Sequence, residues 1–259
     1  MINTRLANWL PPVVLFVLVI VIWDLGLLAL GVQSFLLPRP TVIWAKLLEL
    51  WPTTLARGVA FTASEALGGL AAGIVLGTAA GLATARWRTA QETLVPIAIG
   101  ASTVPIIAFA PITLNWFGYE SPLPRMVIVA AMVFFPVMVN TVRGLTEVEP
   151  AALELMASYA GSELQTLRKV RIPNALPYWF TALRIAATLS VIGAVVGEFF
   201  GGPLYSLGIF ITNQTGISDY PSAWAAIILA CGLGIGFYVA AVIAERVAVP
   251  WGSARETAR

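Results

Sequence analysis

Six apolar stretches, each close to the length a helix needs to cross a lipid bilayer, decide what this chain can become. A spanning helix takes about 20 mostly apolar residues. Such stretches run through residues 11–31, 59–84, 94–117, 124–142, 178–200 and 222–245. Inside a bilayer every backbone N–H and C=O must pair within the protein, so runs of this length read as helices. The predicted fold class is all-α, a polytopic membrane helical bundle with about six transmembrane helices. Composition agrees: 59% of the 259 residues are hydrophobic and 11% are charged, against about 25% charged in soluble domains. A soluble protein with an oversized core does not explain apolar runs this long. The first stretch, Pro11 to Leu30, is too long for the apolar part of a cleaved signal and lacks a clear small-residue cleavage site.

Lys and Arg set the orientation, because cytoplasmic flanks carry them in excess. With the N-terminus inside, the inner set is Arg5, Arg86, Arg88, Arg143, Arg168, Lys169, Arg171, Arg184, Arg246, Arg255 and Arg259. The outer set is Arg39, Lys46, Arg57 and Arg125, an 11 to 4 division of the 15 cations. Both termini are therefore expected in the cytoplasm. A segment of about 32–58 lies outside: Ser34 to Pro40 reads as extended or turn, and Thr41 to Leu50 as a short interfacial helix with Trp44 and Trp51 at headgroup level. This gives two regions, an N-terminal span with its outer segment (1–58) and a core (59–259).

Within the core, Pro96, Pro105 and Pro111 interrupt the third span, which should be buried in protein or line a cavity. Gly69, Gly73, Gly77 and Gly81 form a small-residue stripe on the second span. It suits close packing inside one subunit, and also a subunit interface. Asp24, Glu65 and Glu198 are acidic residues within or near spans, where charge is costly. Asp24 is expected to pair with a polar group nearby. Glu65 should face protein or an inter-subunit space. Glu198 either lines a pathway, braces the outer end or reaches outer water. Arg184 can snorkel to water or phosphate headgroups.

The inner loop 143–177 is too long for a simple connection. Pro150 suits a helix start, and Ala151 to Gly161 is rich in helix formers with Gly161 as a stop. Ser162 and Gln165 have capping-box spacing for a second helix, whose last turn holds Arg168, Lys169 and Arg171 and which stops at Pro173. The pair would present Leu153, Met156, Ala157 and Ala160 on one side. That surface fits another protein, or the lipid headgroups.

Several functions are excluded or unsupported. There is no histidine, no paired-carboxylate spacing, and a single cysteine, Cys231. No catalytic residue, metal site, cofactor or nucleic-acid partner is expected. The two lysines, Lys46 before Leu47 and Lys169 before Val170, cannot complete a G-x-x-x-x-G-K-[ST] phosphate loop, so any ATP hydrolysis must come from another chain. A carrier driven alone by an ion gradient is the alternative, but it would normally need an acidic relay, and inverted repeats are common in that class; none is convincing here.

The segment ELMASYAGSELQTLRKVRIPNALP resembles the coupling motif of ATP-binding-cassette importer permeases: Glu-Ala-Ala, three residues, Gly, nine residues, Ile-x-Leu-Pro. Glu154 stands at the motif Glu and Met156 at its second Ala. Ala160 falls on the glycine position with Gly161 one residue later, and Val170, Ile172 and Pro173 match the end. STVPIIAFAPITLNWFG (102–118), VGEFFGGPLYSLGIFI (196–211) and FLLPRPTVIWAKL (35–47) are similar to the nitrate, sulfonate and taurine branch of these binding-protein-dependent inner-membrane components. The resemblance implies a type I importer permease fold in a cell inner membrane. It further implies a second permease copy, two ATP-binding cassette subunits docked on loop 143–177 through Glu154, Met156, Ala157, Ala160, Gly161, Val170, Ile172 and Pro173, and an external binding protein that delivers the solute. Asn115, Trp116 and Glu198 are pathway candidates. Nitrate, sulfonates, taurine and pyrimidine or vitamin precursors are all open as solutes.

Overall fold

The computed structural model describes residues 3–251, with side chains from Leu10 onward. The expected positive flanks at Arg255 and Arg259, and the side chain of Arg5, lie outside the described residues. The described chain is helical throughout its ordered elements and contains no strand. Among the described residues, five helices are long and apolar enough to cross a membrane, and a bent pair, counted as one span, makes a sixth.

The first helix, α1 (Asn3–Ala29), is almost wholly exposed along its apolar length. Contacts near its end join it to the rest of the bundle. Trp23 stacks edge-to-face on Trp224 at 5.6 Å. Asp24 Oδ1 accepts from the Thr41 backbone N–H at 3.0 Å and from its hydroxyl at 2.8 Å. Thr41 lies in the first turn of α2 (Pro40–Leu50), where helix N–H groups lack partners. The acid in span one thus caps a neighbouring helix, which is the polar pairing expected of it.

The sequence suggested a separate interfacial helix over 41–50. Instead α2 continues through a widened π-type turn (Trp51–Leu55) into α3 (Ala56–Ala85), and Pro40–Ala85 is one helical stretch running unbroken through residues 58 and 59. Pro52 lies in that turn. Its ring would strike the carbonyl four residues back in a regular helix, and the wider turn relieves the clash without ending the helix.

Helix α3 packs on α6 (Leu123–Thr146) through the glycine stripe. Gly69, Gly73, Gly77 and Gly81 face Val129, Val133, Val137 and Thr141 in turn, and a Cβ on Gly73 would sit 2.7 Å from Val133 Cβ. The stripe serves packing inside one chain. The core continues onto α9 (Ile172–Glu198) through Ala182, Ala186 and Ala194. A second cluster joins α2 to α10 (Leu207–Gly216) and α11 (Tyr220–Ala248) around Ile43, Leu47, Leu55, Leu207 and Phe210.

The third span is broken as expected: α4 (Arg88–Ser102) and the Ile106–Phe117 segment, which ends in α5 (Ala110–Phe117), meet at 74°. Only Pro105 coincides with the break. Pro96 lies inside α4, and Pro111 occupies the first turn of α5, where its missing N–H is harmless.

The inner loop forms α7 (Pro150–Ser158) and α8 (Glu163–Thr166). The second helix does not stop at Pro173. It passes through a π-type turn (Leu167–Arg171) into α9, giving one helical stretch over Glu163–Glu198. Pro173 sits at the start of α9, after the wider turn has already displaced the clashing carbonyls.

Candidate functional site

Two places carry unusual local chemistry, one at each end of the α8–α9 stretch. At the first, α7 ends in a tight turn closed by two backbone bonds, Gly161 N–H to Met156 O at 2.9 Å and Ala160 N–H to Ala157 O at 2.9 Å. This is a Schellman arrangement, which requires one residue in the left-handed region. That residue is Ala160, with φ of +50°. Gly161, read from sequence as the stop, lies one place beyond, packed against Met156. The residue at the motif's glycine position thus adopts the conformation glycine favours. The expected capping box follows: the Ser162 hydroxyl accepts from Gln165 N–H at 3.3 Å, and Gln165 Oε1 accepts from Ser162 N–H at 2.9 Å.

Exposure divides the turn. Leu153 and Met156 are half-buried, while Glu154, Ala157 and Ala160 are exposed. Leu155, Tyr159 (77% exposed) and Leu164 present large apolar side chains outward; sequence reasoning did not single them out. Val170 and Pro173 are half-buried, and Ile172 is exposed. The turn is tied to the bundle by Asn174 Nδ2, which donates to Gly144 O at 2.9 Å and Glu147 O at 3.1 Å. An exposed Arg86–Glu163 pair at 3.4 Å adds a weak link.

At the other end, Glu65 of α3, Arg125 of α6 and Glu198 of α9 meet with every side chain 0% exposed. Arg125 Nε donates to Glu65 Oε1 at 2.7 Å. Its remaining nitrogens donate to the carbonyls of Tyr119 at 3.2 Å, Gly201 at 2.9 Å and Ser121 at 2.8 Å. Glu198 accepts from the Thr62 hydroxyl at 2.7 Å and from Gly208 N–H at 2.6 Å. Gly208 lies in the first turn of α10, so this carboxyl sits at the positive end of a helix. Glu65 faces protein, and Glu198 does not reach outer water. Arg125, counted from sequence as an outer flank cation, is instead an interior residue, because Glu65 and three carbonyls replace its hydration. The only sequence hint was its place at the start of an apolar run, with a lone acid in span two.

The other candidates are apart from this cluster. Asn115 and Trp116 are on α5, both exposed, Trp116 at 73%. Arg184 pairs with Glu245 of α11 at 3.3 Å. Among the described residues, no group of three or more acidic or cysteine side chains could hold a metal ion.

A family profile described as binding-protein-dependent transport system inner membrane component matches residues 69–248. The formylaminopyrimidine transport permease protein ThiX of Halalkalibacterium halodurans is 32% identical over 93% of this chain and 96% of its own length. The riboflavin transport system permease protein RibX of Chloroflexus aurantiacus is 33% identical over 93% and 89%. The putative aliphatic sulfonates permease SsuC of Escherichia coli is 27% identical over 96% and 93%. In fold, the chain is similar to one from the MetNI methionine ABC transporter solved in inward-facing conformations, with a TM-score of 0.58 and 21% identity over 75% of this chain and 95% of that one. The all-α bundle, its membrane spans and these relatives agree: the chain belongs to the binding-protein-dependent transport system inner membrane component family and is a transmembrane permease subunit of an ABC importer.

Proposed function

We propose that this permease imports a small heteroaromatic solute, of the pyrimidine or flavin kind, and is driven by two separate ATP-binding subunits that grip the α7–α8 turn. The observation that carries the coupling is the continuity of that turn with α9. A partner holding Leu155, Tyr159 and Leu164 together with Glu154 and Ala157 would act on a helical stretch that crosses the bundle without interruption. A ligand shifts a conformational equilibrium only if it holds the two states differently, and nucleotide-dependent movement of this turn provides the difference.

The turn then lies in the cytoplasm, with both termini on the same side. With Arg125 and Arg184 both set aside as interior, ten cations remain in the inner set against Arg39, Lys46 and Arg57 in the outer, so the inner bias stands. An external binding protein would deliver the solute to the opposite side. The exposed α5 surface at Asn115 and Trp116 is open in one chain, and a second copy would close it into a pathway. Glu198 is enclosed within the chain, so its place in this scheme is bracing rather than lining.

Solute class rests on two supports. The relatives at 32% and 33% identity carry names for a formylaminopyrimidine and riboflavin. In addition, Arg125 and Arg184, the cations set well inside spans, are already engaged by Glu65 and Glu245, leaving neither for an anion.

Reconstitution with the ATP-binding subunits and the binding protein tests both parts. Uptake of riboflavin or a formylaminopyrimidine should exceed that of taurine; the reverse order rejects the solute class. Ala157→Trp should abolish uptake while ATP hydrolysis continues, and normal uptake by that variant would show that the turn is not the docking surface.

A further inference from the structure

The buried cluster contains two carboxyl groups and one guanidinium. If both carboxyls were ionised, a region sealed from water would hold one excess negative charge. Burial of an unpaired charge is far more costly than burial of a neutral polar group, so such sites acquire a compensating partner. The hydrogen bonds show where that partner belongs. Both oxygens of Glu198 accept, one from the Thr62 hydroxyl and one from Gly208 N–H. Glu65 Oε1 accepts from Arg125. Glu65 Oε2 is buried and has no donor among the described residues; Thr62, one turn before Glu65 on α3, is bonded to Glu198, so a hydrogen bond between this orphaned oxygen and Glu198 would satisfy it. Two carboxylates cannot make that bond. A carboxylic acid and a carboxylate can.

The surroundings favour a proton over a metal ion. A guanidinium, a hydroxyl and an amide all point hydrogens at the pair, and each would repel a cation. Space is also short: a Cβ on Gly208 would lie 2.9 Å from Glu198 Oε2, and one on Gly202 would lie 3.3 Å from the Arg125 guanidinium carbon. Phe61 adds an aromatic face 6.0 Å from that carbon. The negative charge belongs on Glu198, which sits at the N-terminus of α10, a ten-residue helix whose dipole favours an anion there.

We propose that Glu65 and Glu198 bind one proton between them, carried on Glu65 Oε2 and donated to Glu198. The resulting neutral acid–carboxylate–guanidinium triad fixes the 119–121 and 201–208 segments against α3, α6 and α9. The proton is a structural ligand that satisfies the orphaned oxygen and cancels the excess charge in one step. Arg125 is the positioning residue, because its other donors hold both connecting segments.

The test uses the full chain in lipid nanodiscs at neutral pH, with infrared spectroscopy and thermal unfolding. The unmodified protein should show a protonated-carboxyl C=O band that Glu65→Gln removes. A glutamine reproduces each bond of a protonated Glu65, accepting from Arg125 and donating to Glu198. Glu65→Gln should therefore keep the unfolding temperature of the unmodified protein, whereas Glu65→Ala and Glu198→Gln should lower it. Absence of the band in the unmodified protein overturns the proposal. So does its persistence in Glu65→Gln, or a Glu65→Gln variant that is as destabilised as Glu65→Ala or does not fold.

Discussion

The two ends of α9 are built in opposite ways. Before Ile172, the α7–α8 turn is held mainly by bonds between residues three to five apart: the Schellman pair at Met156–Gly161 and the Ser162–Gln165 box. No residue of α7 or α8 is buried. In the cluster at Glu198, three of the six bonds given above join residues 60, 76 and 136 positions apart, and all three charged side chains are enclosed. A locally capped element keeps its shape when it moves against its neighbours, since few of its bonds leave it. A non-local polar lock holds several elements in one arrangement, and breaking it exposes groups that water cannot reach. The contrast fits the scheme proposed above, in which the subunit is handled at one end and braced at the other.

The largest effect expected from this contrast is at Arg125. Arg125→Met should cost about 3–5 kcal/mol, the scale for removing one partner of a buried ion pair. At the opposite end, Tyr159→Ala should change stability by about 0.5 kcal/mol or less, as for an ordinary surface position. Denaturation in nanodiscs compares the two, and equal losses would erase the distinction drawn between the ends. Between these extremes, Gly73→Ala would drive a methyl into Val133 and should cost about 1–3 kcal/mol by overpacking. A loss at that site as large as at Arg125 would place the main lock in the α3–α6 seam instead. The one change expected to stabilise is at Ala160. Replacing it by glycine removes a left-handed strain of about 1–2 kcal/mol per residue, offset by glycine's greater unfolded-state freedom of about 0.5–1 kcal/mol. A net gain of up to about 1.5 kcal/mol should appear as slower proteolysis at the turn, and faster proteolysis would mean that the methyl contributes packing there.

Much of this architecture was legible in the residues because its causes are local. Spans announce themselves since lipid requires an entire apolar run, and the Ser162–Gln165 box since its partners are three residues apart. The break in the third span was visible in its prolines, although Pro96 lies within α4 and Pro111 in the first turn of α5, where helix geometry already spares the N–H. What escaped were features decided by distant partners or small backbone adjustments. Arg125 looks like a flank cation until Glu65, 60 residues earlier, is brought beside it. Pro173 looks like a terminator, and Pro52 follows the expected end of the 41–50 helix, yet π-type turns carry the helix past both. The short α10 follows a glycine- and proline-rich stretch that reads as loop, and its N-terminus is stabilised by Glu198 from another helix. At the candidate docking turn, spacing located the capped pair. It could not show that Met156 turns partly inward while Leu155 and Tyr159 face out, because the direction of a helix face depends on the neighbours it packs against.

The unbroken Glu163–Glu198 stretch has a consequence in plain length. Its 36 residues extend about 54 Å at 1.5 Å per residue, whereas a bilayer with its headgroups is about 40–45 Å thick. Even tilted by about 20°, a common inclination for such helices, it overshoots the bilayer by roughly a turn or two. Under the docking proposed above, an ATP-binding subunit would take hold of the projecting tip in bulk water, without its own surface having to wade among lipid headgroups.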